Sequence, residues 1–102
     1  MIVEVDLEAG PRVIDADVLD AFSVAAITDD SDTVGRAMGP AGYAAEEPGH
    51  VWVSADWIRV NAAEASSDPS WANRFEAMLD YAATKNWMNA SRSHILAHIE
   101  SD

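Results

Sequence analysis

The 102-residue chain contains no cysteine. That removes disulfides, thiolate metal sites and cysteine nucleophiles together, and it fits a reducing compartment. Basic side chains are nearly as scarce: one lysine and five arginines stand against 18 Asp and Glu, for a formal net charge of −12. Phosphate backbones are gripped by clustered Lys and Arg, so the balance argues against bare nucleic-acid binding, and an anionic membrane would repel the chain. No run of 18 apolar residues is present. Met1-Ile2-Val3-Glu4-Val5-Asp6 puts acids where a signal peptide carries a basic and then an apolar stretch. The expected location is cytoplasmic.

Chemistry-bearing motifs are also missing. The glycines at 35, 39 and 42 match neither the dinucleotide nor the phosphate-loop spacing, and no Lys-Ser or Lys-Thr pair follows them. There is no Gly-x-Ser-x-Gly elbow, and the lone Lys85 falls near a solvated helix end, so covalent catalysis has little support. No cofactor is expected, and the sequence leans away from an enzyme.

What remains is enough for one core. Apolar residues make up 49% of the chain, with four Trp, two Phe and two Tyr, and a single domain spanning residues 1–102 is expected. Residues 1–50 hold two basic and eleven acidic side chains, net −9, while 51–102 hold four and seven, net −3. All four tryptophans, at 52, 57, 71 and 87, lie in the second half, which makes it the centre of the core.

Alternation of Val3, Val5 and Leu7 with Glu4, Asp6 and Glu8 predicts a strand near 2–8, ended by Gly10-Pro11. Val18, Leu19, Phe22, Ala25 and Ala26 follow a helical stripe and predict a helix over 15–27, capped by Asp15 or Asp17. A short helix near 33–38 follows, and the stretch from Gly39 to Gly49 reads as a loop. Val51-Trp52-Val53 predicts a strand over 51–53, and Ser54 with Asp56 opens a helix over 54–65. Asp68-Pro69 begins the clearest element, a helix over 69–85 with Trp71, Phe75, Met78, Leu79 and Ala82 on one stripe. Residues 94–99 fit either state and are assigned to a strand. The expected fold is α+β, with two to three short strands and about three helices packed on one face. A mostly α fold is the alternative.

Three constellations bear on function. His94 and His98 are four apart, close enough on a helix to share a metal, but about 13 Å apart on a strand at a rise of ~3.3 Å per residue. Ile95 stands where a zincin needs Glu, which excludes a metalloprotease. Asp30, Asp32 and Gly35 match a calcium loop at positions one, three and six, and the match fails at Val34 and Ala41. His50 follows Glu46-Glu47 in a Gly/Pro loop, so His50 or Glu47 is a candidate general base beside an apolar pocket of Trp52 and Trp57. The bland readings are solvated histidines, loop acids and core aromatics. Trp52 points opposite to Val51 and Val53 on a strand, which marks it as a candidate contact residue.

Two functions follow as expectations. The first is a small acidic interaction or accessory protein that binds a protein partner, a basic one or a second copy of itself. The second is a cofactor-independent small-molecule binder or enzyme built on His50 or a carboxylate near Trp52 and Trp57. One Lys with abundant Asp and Ala also fits a high-salt proteome, in which the acids hold hydration rather than steer a partner.

Overall fold

A computed structural model describes residues 1–101. Nine elements follow in chain order: β1 (Ile2–Asp6), β2 (Gly10–Ile14), β3 (Ser23–Ala26), α1 (Ser31–Met38), β4 (Gly42–Ala44), β5 (His50–Ser54), α2 (Ala55–Ala65), α3 (Trp71–Thr84) and β6 (His94–Ser101). A single 3-10 turn, Gly39–Ala41, joins α1 to β4. The strands form one mixed sheet in the order β2-β1-β3-β6-β5-β4. The α+β class holds, but the expectation of two to three strands is corrected to six.

The extra strands are β2, β3 and β4, of five, four and three residues. β2 pairs antiparallel with β1 from Ile2↔Ile14 to Asp6↔Gly10. Pro11 is tolerated there because β2 is an edge strand and one side of it needs no donor. The Asp6 carboxylate accepts from the amides of Ala9 and Glu8, both at 2.8 Å, and these bonds, in that order, hold its pKa below the usual value. The helix expected over 15–27 is absent. Residues 23–26 instead form β3, paired in parallel with β1 and with β6, so both of its edges are satisfied by neighbours far away in sequence. Val24 is fully buried there. β4 lies inside the stretch read as a loop, and pairs with β5 from Gly42↔Val53 to Ala44↔Val51.

The helices follow the sequence more closely. Asp30 caps α1 by accepting from the amide of Thr33 at 3.3 Å, and Ser54 caps α2 by accepting from that of Trp57 at 3.1 Å. α3 starts at Trp71, two residues later than expected, because Asp68 to Ser70 are used in a turn. The core joins Val3, Val24, Val51, Val53, Ile95 and Ile99 of the sheet to Val34 and Met38 of α1, Ile58 of α2, and Trp71, Phe75 and Leu79 of α3. Trp71 also donates its indole N–H to the carbonyl of Ala16 at 2.7 Å, which ties the 15–22 connection to α3.

The turn before α3 is built on the Asp68 carboxylate. The Asp68 carboxylate accepts from the hydroxyl of Ser70 at 2.8 Å, from its amide at 2.9 Å and from Arg74 at 2.7 Å. In that order of importance these bonds lower its pKa from 3.8 to about 2. A depressed folded-state pKa means that the contribution is complete above the unfolded value and is lost as pH falls through the folded one. Melting curves between about pH 5 and about pH 2 are expected to show the Asp68→Asn variant losing less stability on acidification than the parent. Equal slopes for the two proteins would show that the turn contributes nothing to folding.

Candidate functional site

Strand alternation sorts the antiparallel half of the sheet into two faces. Val51, Val53, Ile95, Ala97 and Ile99 are buried in the helix-covered core. Trp52, Ser54, His94, Leu96 and His98 alternate with them and point to the opposite face. Tyr43 pairs with Trp52, and Trp52 pairs with Leu96, so the three side chains form one row across β4, β5 and β6. Trp52 and Leu96 are half-buried, while Tyr43 is 49% exposed. The His94 ring flanks the row, 5.0 Å from the ring of Tyr43, and its Nδ1 lies 2.7 Å from the hydroxyl of Ser93.

A cleft of about 1050 Å³ adjoins the row. It opens where two segments part along one edge of β6: β3 pairs with Ile99–Ser101, while Trp87 accepts from the amide of Leu96 at 2.7 Å and Met88 bridges Ile95. Leu19, Phe22, Met78, Trp87 and Leu96 give it apolar walls, and Glu47, His50 and His98 bring polar groups to it.

The structure therefore unites some of the residues singled out in the sequence and separates others. His50 and His98 are directly opposite on β5 and β6, with ring centroids 5.2 Å apart. Glu47 shares their cleft, and its carbonyl accepts from the His50 amide at 3.2 Å. His94 and His98 both lie on β6, the strand case in which the two rings are too far apart to chelate together. Neither Trp52 nor Trp57 lines the cleft, whose tryptophan is Trp87. Trp57 sits on α2 and packs against the core. Among the described residues, no three His, Cys, Asp or Glu side chains are grouped to hold a metal. None of the described helices is long and apolar enough to cross a membrane.

Tyr43, Leu96 and Trp87 are the site residues that sequence reasoning missed. Leu96 was readable, since the alternation that puts Ile95 and Ile99 inward on a strand must put Leu96 outward. Tyr43 carried no signal, because a three-residue strand between glycines and prolines has no period to detect. Comparison of the chain with family models, curated proteins and solved structures finds no match.

Proposed function

We propose that this protein is an acidic, non-enzymatic interaction module of the cytoplasm that docks a protein partner on the open face of β4, β5 and β6. The row Tyr43–Trp52–Leu96, in register across three strands on the face opposite the core, carries this reading. Tyr and Trp dominate interface centres because they bring large contact areas with few rotatable bonds. The charge of −12 points to a basic partner, since complementary fields raise the encounter rate while two copies of this chain repel each other.

The test is quantitative capture of a partner by the parent protein and by Trp52→Ala and Tyr43→Ala, at low and high ionic strength. A basic partner retained by the parent is expected to bind each variant about tenfold or more weakly, consistent with loss of a central aromatic. Its affinity is also expected to fall with salt. Retention unchanged in both variants would remove the open face from the interface. Sedimentation that shows a dimer dissolved by the same substitutions would assign the face to a second copy.

The cleft supports a second reading, a small-molecule binder with His50 or Glu47 as base. Apolar walls and a few convergent polar groups are what such sites require. A ligand whose binding is lost in Phe22→Ala but kept in Trp52→Ala would favour the cleft over the open face.

A further inference from the structure

We infer that His50 and His98 form a two-imidazole chelate for a late first-row dication such as Zn2+, Ni2+ or Cu2+, at the mouth of the cleft. The pair is built by sheet register rather than by local sequence: 48 positions separate the two residues, and β5 and β6 set them face to face. The Ile99 amide donates to the Gly49 carbonyl at 2.8 Å, which makes His50 and His98 a non-hydrogen-bonded pair. In such pairs the Cα atoms approach to about 4.5 Å and the side chains come closest together.

The spacing fits a chelate. With metal–nitrogen bonds of about 2.0–2.1 Å at a tetrahedral angle, two imidazoles on one ion hold their ring centroids roughly 5 Å apart. The ring centroids of His50 and His98 are 5.2 Å apart. One ring is also already oriented. The His50 Nδ1 lies 3.0 Å from the Pro48 carbonyl, an oxygen that can only accept, so Nδ1 donates there and Nε2 is the nitrogen left for a metal. A metal-bound histidine is characteristically fixed by such a bond at its other nitrogen.

The surroundings favour a cation. Glu47 lines the same cleft, and Glu100 follows His98 two residues along the same face of β6. Imidazole donors select the late first-row ions over magnesium and calcium. Two protein ligands leave the remaining positions for water, for the Glu47 carboxylate or for a donor atom on a ligand in the cleft.

Calorimetric titration of the whole protein with zinc chloride, with and without His50→Ala and His98→Ala, tests the assignment. One equivalent of zinc is expected, released by chelator, with each substitution weakening it about tenfold or more. His94→Ala, four residues along β6 with its ring on Tyr43, is expected to leave binding unchanged. His98→Asn keeps a polar side chain of similar size, so a loss of binding in that variant with an unaltered circular dichroism spectrum separates ligation from folding. Zinc bound with equal affinity by the parent and by both alanine variants would overturn the proposal in favour of the acidic surface. No uptake up to about 1 mM zinc, the weak end of specific affinity, would overturn it as well.

Discussion

Adding a single methyl group at Gly42 is expected to destabilise the protein by about 3 kcal/mol or more, at or beyond the upper end of ordinary overpacking. A Cβ at this position would stand 2.0 Å from the carbonyl oxygen of Trp52 and 2.9 Å from the terminal methyl of Met38. Met38 can shift, but the Trp52 carbonyl belongs to the backbone of β5 and moves only with the strand. Gly35 of α1 makes a second close approach: a Cβ there would meet the amide nitrogen of Ala44 at 2.5 Å, so α1 lies directly on the backbone of β4. The edge strand that presents Tyr43 thus makes its close approaches to β5 and to α1 through glycines, Gly42 of the strand itself and Gly35 of the helix. Gly42→Ala should lower the thermal midpoint by roughly 12 °C or more, taking ~4 °C or more per kcal/mol for a domain of this size. A Gly42→Ala protein that melts alongside the parent would show that β4 yields without cost.

Phe75→Ala is expected to cost about 3–5 kcal/mol, a large part of the roughly 5–15 kcal/mol that a domain has in total. Phe75 is completely buried and stacks on Trp71, with centroids 4.9 Å apart and planes 9° from parallel. The guanidinium of Arg59 lies 5.8 Å from the same ring and reaches Glu76 at 3.0 Å through two nitrogens, so one side chain joins α2 to α3. Truncation leaves a void bordered by an unstacked indole and removes the seat of that arginine. Urea denaturation should show a reduced midpoint with an unchanged slope, and Phe75→Leu, which keeps most of the volume, should lose less than half as much. If Phe75→Ala cost only about 1 kcal/mol, α3 would have to be collapsing into the space, as well-relaxed sites do.

Legibility in this sequence follows the distance over which each element is decided. α3 was readable because its stripe from Trp71 to Ala82 repeats over several turns, and α2 because Ser54 announces its start. β3 escapes local reading for the opposite reason. Val18, Leu19, Phe22, Ala25 and Ala26 do have helical spacing, but Ser23–Ala26 gains more by pairing on both edges with β1 and β6. No local pattern reports partners so remote. Pro11 and the glycines around Tyr43 hid β2 and β4, since edge strands accept residues that central strands exclude. The candidate site shows the same division. The outward direction of Trp52 could be read from its neighbours, whereas the meeting of His50 with His98 depends on a register that no window of sequence contains.

The position of β6 has a consequence for how the chain is made. It is the last of the described strands in sequence and lies third from one end and fourth from the other in space, between β3 and β5. A ribosome therefore delivers β1, β2 and β3 as one fragment of sheet and β4 and β5 as another, with nothing to join them until residues 94–101 emerge. Until then β3 and β5 each offer an unpaired edge, the feature by which partly made chains stick to one another. Eleven of the 18 acidic residues precede β5, so such fragments carry like charge and repel one another.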